Sequence, residues 1–168
     1  MNPKSTDHNN KLKSIIKGLF REHKHLHEYR LQNLIYLAEL LHVERTDGNT
    51  LTPGDYTPYR YGAFSPCVKS TVEELSIHPK IKHKQSQRYD GNTQVYETTD
   101  LKPDLPSDIQ ALVDIVMSLT KHKSNDDLRD WSKSTYLFKN TNYNKEMEFT
   151  TYTDQLAEGK QPEWKKLT

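Results

Sequence analysis

Apolar residues in this chain fall in short, regularly spaced stripes, and the spacing predicts the elements. Leu12, Ile15, Ile16, Leu19 and Phe20 lie three and four residues apart, which lines one face of an α-helix starting near Lys11. Residues 1–9 carry no such pattern and are expected to form a flexible lead. In RLQNLIYLAELLHVE, Leu31, Leu34, Ile35, Ala38, Leu41 and His42 trace a second face, and Tyr36 and Leu37 widen it. A helix apolar over so much of its circumference belongs at the centre of a small bundle. Asp47-Gly48-Asn49 then signals a turn.

Pro53, Gly54 and Pro58 predict an extended stretch over 52–61. Ser65-Pro66 has the grammar of a helix start: a hydroxyl to cap a free N–H, then a proline whose missing N–H costs nothing. That helix runs through Val68, Val72 and Leu75 and is limited by Pro79. Loose alternation over 81–99 around Asp90-Gly91 predicts an antiparallel hairpin. Ile109, Leu112, Val113, Val116 and Leu119 give another amphipathic helix, after a proline-marked linker over 102–106. Ser124 with Asp127 resembles a capping box, with Asp replacing the usual Glu, and opens a short helix through Leu128 and Trp131. The pattern fades after Phe138, leaving 154–168 as an expected tail on a single domain of 10–153. The predicted class is α+β, mainly α: a compact bundle of about five helices with a small antiparallel β-hairpin.

Composition narrows the function classes. The chain has 168 residues, of which 33% are hydrophobic, and its mean hydropathy is −0.96, so the core must be economical. Ten tyrosines speak for order. Lys and Arg number 24 against 23 acids, so no surplus of charge demands a polyphosphate partner. Lone Cys67 can close no intramolecular disulfide, which fits a reducing interior. Without an apolar leader or a run of about 18 apolar residues, a cytoplasmic protein without membrane spans is expected.

Candidate chemistry is sparse. His23, His25 and His27 alternate, so a helix would splay them and only an extended segment would align them for a metal. Cys67 stands in the first turn of a helix, where a dipole can lower a thiol's pKa, but no particular His is tied to it. Phosphate-cradling loops and hydrolase elbows are absent from the sequence. The expectation is therefore no enzyme and no cofactor. The basic strand Lys80, Lys82, His83, Lys84 and Arg88, following paired helices, supports an alternative reading: a winged-helix-like DNA-binding regulator. Glu97 and Asp100 on the returning side weigh against it, and lysines also protect an edge strand from unwanted pairing.

The stretch YTPYRYGAFSPC concentrates rings in a connector. Tyr59 and Tyr61 would share one face of an extended segment, with Arg60 on the other. Such rings either staple the connector to the main helix or dress a recognition surface, and different rings can do each. Tyr59, Arg60, Tyr61 and Phe64 are the candidate partner-binding residues.

The two stretches LQNLIYLAELLH and YRYGAFSPCVKSTVEEL together resemble the Panacea domain, the antitoxin SocA-like or phage-associated GepA-like family. Leu31, Gln32, Leu34, Ile35, Tyr36 and Ala38 match its helix of the form LQKLLYFA, and Tyr61, Gly62 and Ser65 match its YGPxS segment. STYLFKNT and MEFTTY are similar to the ends of archaeal-type members, extending the likeness over 10–153. Ala63 replaces the family's usual proline, and the His before Pro-Trp that many members carry near the C-terminus has no counterpart. The resemblance implies an antitoxin-like module of a toxin–antitoxin system. Such a module binds and neutralises a cognate toxin protein, in one type as an adaptor that delivers the toxin to a protease, without enzymatic activity or cofactor.

Overall fold

A computed structural model describes residues 3–85 and 94–168. Its elements are α1 (Pro3–Glu22), β1 (His25–His27), α2 (Glu28–Arg45), β2 (Thr57–Tyr59), β3 (Gly62–Phe64), α3 (Pro66–Leu75), β4 (Ile81–Gln85), β5 (Gln94–Thr98), α4 (Ser107–Thr120), α5 (Asn125–Ser134), α6 (Tyr136–Lys139), α7 (Phe149–Ala157) and a final 3-10 helix, Glu163–Leu167. Helices dominate, joined by two small antiparallel sheets, which is the α+β, mainly α class.

α2 is the axis. It packs against α1, α4, α5, α7, both sheets and the 3-10 helix, and Leu31, Leu34, Ile35, Tyr36, Leu37 and Leu40 are all at most 1% exposed. Apolar character around most of the helix is what such a position requires. The α1 stripe, Leu12 to Phe20, is likewise sealed and faces α2, α3 and α4. Gly18 explains the close α1–α4 approach, because Leu105 and Val113 lie 2.9 Å from where a Cβ would stand. Arg30 ties three helices together: its guanidinium donates to Thr120 O at the end of α4, to Lys123 O in the connector that follows and to Asn125 Oδ1 at the start of α5. A cation at a helix C-terminus also meets the negative end of the macrodipole.

The caps read from sequence are in place. Ser65 Oγ accepts from Val68 N at 3.1 Å, and Ser124 and Asp127 satisfy each other's backbone N–H groups. β4 and β5 pair antiparallel as expected, from Ile81↔Thr98 to Gln85↔Gln94. The Asp90-Gly91 turn and Arg88 lie outside the described residues.

Three stretches differ from the sequence reading. Residues 3–9, expected in a lead, belong to α1, since extending a helix already nucleated by a buried stripe costs little per residue. Residues 25–27, assigned to no element between the first two predicted helices, form a strand, β1, on the outer side of β5 with His25↔Glu97 and His27↔Val95, giving the order β1-β5-β4. Residues 154–168 are not a loose tail. α7 continues to Ala157 and the 3-10 helix folds back with Leu167 buried and Trp131 Nε1 donating to Glu163 O at 3.0 Å. Two apolar residues, Trp164 and Leu167, are too short a signal for periodicity to register.

Candidate functional site

The ring-rich connector is a hairpin, not one extended run. β2 and β3 pair through Thr57↔Phe64, Pro58↔Ala63 and Tyr59↔Gly62, so the chain reverses at Arg60–Tyr61. Strands of three residues escape an alternation test, which is why the sequence reading extends this segment straight through residue 61. Gly62 follows the reversal at φ +114°, a conformation that side chains with a Cβ rarely adopt.

Three polar side chains suture the hairpin to the bundle. Gln32 Nε2 donates to Ser65 O at 3.0 Å while Gln32 Oε1 accepts from Ser65 N at 2.9 Å, a two-point clasp in the core. Asn33 Nδ2 donates to Tyr61 O at 3.1 Å. Ala63 N donates to Ser132 Oγ of α5 at 2.8 Å. Asp55 adds a brace at the exit, accepting from Ser65 Oγ and from Cys67 N at the start of α3. The consecutive polar pair Gln32-Asn33, embedded in an apolar helix, thus holds the hairpin's outgoing arm. Gln32, with both ends of its buried amide satisfied, rigidifies what it joins, whereas Asn33 uses only its Nδ2.

The suture displays rings. Tyr59 is 37% exposed, and Tyr61, Phe64 and Tyr29 are half-buried. Tyr29, in the first turn of α2, lies with its ring centroid 4.3 Å from Tyr61 and 5.8 Å from Tyr59. Tyr59 is 5.4 Å from Phe64 and 6.0 Å, edge-on, from Tyr61. The Arg60 guanidinium stands 4.6 Å over the Tyr61 ring. All four partner-binding candidates therefore fall in one cluster, with rings at distances typical of favourable aromatic pairs. Tyr29 is the member that sequence reading misses. It belongs to a helix whose rings look like core, and only its place in the first turn turns it outward. His27 caps that helix, its Nδ1 accepting from Tyr29 N at 3.2 Å, and its ring lies 5.7 Å from Tyr29.

The other candidates disperse. Lys84 pairs with Glu97 at 2.7 Å and Lys82 sits opposite Glu97 in register, so the one acid on the returning strand meets two cations of the basic hairpin, while Lys80 donates to the backbone carbonyl of Asp100. His25 also faces Glu97 at 3.4 Å, whereas His23 contacts Leu19 O and His27 serves as a cap. Those separate engagements do not converge on a metal. Burial, with Asp55 nearby, pushes the Cys67 thiol up, the opposite of an activated nucleophile.

The sequence reading passes over one buried group. Glu39 is fully enclosed, with its carboxyl accepting from Leu51 N, Thr52 N and Thr52 Oγ1. Burial outweighs these bonds and pushes it up to about 8. Glu39 pins the loop that feeds the hairpin. An acid four residues beyond Ile35 on an apolar helix was the available hint.

Among the described residues, no helix is long and apolar enough to cross a membrane. No curated protein and no solved structure matches the chain. A family model, antitoxin SocA-like, Panacea domain, matches residues 31–136, from the first turn of α2 to the start of α6. That span holds most of the central helix, the sutured hairpin and the β4–β5 pair, and Gln32 clasping Ser65 joins its two ring-bearing stretches, α2 and the hairpin. The chain belongs to the antitoxin SocA-like, Panacea domain family.

Proposed function

We propose that this protein is the antitoxin of a toxin–antitoxin pair and neutralises a cognate toxin protein by gripping it with the aromatic hairpin. The observation that carries the reading is the half-exposed cluster of Tyr29, Tyr59, Tyr61 and Phe64 under Arg60, held on a sutured hairpin. Tyr and Arg are the side chains that most often dominate binding energy, because each offers large, rigid contact area with a polar end. Holding the rings in place beforehand limits the ordering cost of association. Removing one such anchor is worth about 2 kcal/mol, or roughly 30-fold in Kd.

The test is co-expression with the toxin encoded beside this gene, with growth as the readout. Tyr59→Ala is expected to fold, since the ring is partly solvent-exposed, and to lose protection; Tyr29→Ala should lose it as well. A folded Tyr59→Ala, Tyr29→Ala double variant that protects as well as wild type removes the hairpin from the mechanism. Toxin abundance separates two modes of neutralisation. A blocking complex leaves intact toxin that co-purifies with this chain, whereas delivery to a protease, the adaptor mode, lowers toxin abundance and is reversed by inactivating the protease.

A further inference from the structure

At the other end of α3 from the hairpin, roughly 15 Å along the helix, lies a hollow of about 330 Å³ between α1, the start of β4 and residues 101–105. Its apolar floor is Leu75, Leu101 and Leu105, half-buried against the core. Its rim is Lys17, Lys80 and Lys102, all exposed, against a single lining carboxylate, Asp104. These charges are poorly compensated. Lys17 makes no hydrogen bond or ion pair with the described residues, and Lys80 Nζ reaches only a backbone carbonyl, Asp100 O. Lys102 meets Asp100 at 3.5 Å with both side chains largely in solvent, a pairing worth little. Next to the lining residue His78 stands Ile77, 84% exposed, the most exposed large apolar side chain among the described residues. Beyond Leu101–Lys102, which form a shared wall, a second hollow of about 670 Å³ is lined by Arg21 and Lys24 and also by Glu97 and Asp100, with Arg21 already held by Glu22 and Gln110, so the unanswered charge is that of the first hollow.

We propose that this trough is a second docking surface, independent of the hairpin, for an acidic protein segment that presents an apolar side chain. Charge complementarity selects the sign of the partner: carboxylates meet Lys17, Lys80 and Lys102 while an aliphatic group enters the hollow between them. Two hollows sharing a wall, with Ile77 outside both, give a surface extended along a chain rather than a pocket closed around a small molecule. Neither hollow is lined by Phe, Tyr or Trp, the larger rings on which unpaired bases stack, and the floor of the first is aliphatic, which suits a Leu-like side chain.

Fluorescence anisotropy of the full chain tests this with four labelled probes: a twelve-residue peptide of Glu and Leu, one with Lys for Glu, one with Ser for Leu, and a single-stranded oligonucleotide. The Glu/Leu peptide is expected to bind at least tenfold more tightly than the other three. Lys17→Glu with Lys102→Glu, both at exposed positions and checked for folding by circular dichroism, should weaken it tenfold or more and admit the Lys/Leu peptide. Ile77→Ser should weaken it several-fold. Equal binding of the Ser-substituted peptide or of the oligonucleotide overturns the proposal in favour of unspecific charge attraction, and so does indifference to the charge reversal. Tyr59→Ala should leave peptide affinity unchanged. Loss of affinity in that variant assigns the peptide to the hairpin and overturns the trough, so the two sites can fail separately.

Discussion

Asn33 occupies the space that a Cβ on residue 62 would need, so Gly62 is demanded by a neighbour on α2 as well as by its own backbone. The two requirements are separable. Gly62→Ala is expected to cost roughly 2 kcal/mol or more, from the positive φ and the collision together. Adding Asn33→Ala should recover the steric part, so the double variant is more stable than the sum of the single losses. Urea denaturation of the four proteins measures this. Strict additivity of the two losses would show that the contact does not matter.

Ala63 stands where the family usually has proline, and here its N–H is used, donating to Ser132 Oγ in a buried bond. Ala63→Pro should therefore destabilise this chain by about 1–3 kcal/mol, the range for leaving a buried polar partner unsatisfied. The same change in a Ser132→Ala background should cost less, because the hydroxyl that loses its donor is gone. Thermal melts of the two pairs decide it.

Glu39 gives the protein a pH dependence of definite sign. Its folded pKa, about 8, lies above the ordinary carboxyl value of 4.5. Below 4.5 both states hold the proton and the contribution is at its fullest. Between 4.5 and 8 the unfolded chain ionises first, so this contribution is lost as pH rises, and above 8 the loss is complete. The expected loss is on the order of a few kcal/mol. Urea midpoints of wild type and Glu39→Gln at pH 5 and pH 8.5 test it. The wild type should lose ground to the variant across that interval, and parallel behaviour would rule the mechanism out.

The folded-back C-terminus should matter to the core. Leu167 is buried, and the Glu163 side chain accepts from Tyr136 N while its carbonyl accepts from Trp131 Nε1. Leu167→Ala is expected to cost about 2 kcal/mol or more, as for a buried aliphatic side chain truncated to a methyl. Tryptophan emission should shift to the red as the cover over Trp131 loosens. A variant matching wild type in both stability and emission would mean that the segment rests on the surface without holding it.

Much of the helical architecture was legible in the sequence because helix periodicity and caps are local. Leu12 to Phe20, the α2 face, the Ser65 cap and the Ser124 box depend on residues a few positions apart, and each stands where its spacing places it. The hairpin at 57–64 was not legible, since its strands are three residues long and its register is fixed by Gln32, Asn33 and Ser132 from elsewhere in the chain. For the same reason Tyr59, Arg60, Tyr61 and Phe64 could be named in advance as a group, but not the neighbour Tyr29, which reaches them only through the fold.

By itself, then, the order of apolar and polar residues determined the five helices up to Ser134 and which of them takes the centre, because a helix buries as much of its circumference as is apolar. The tertiary structure decided which rings stay half in solvent, where a carboxyl is sealed from water and which lysines keep their charge unanswered. Those outcomes turn on distances between residues far apart in the chain, and distance in space is not written in local spacing.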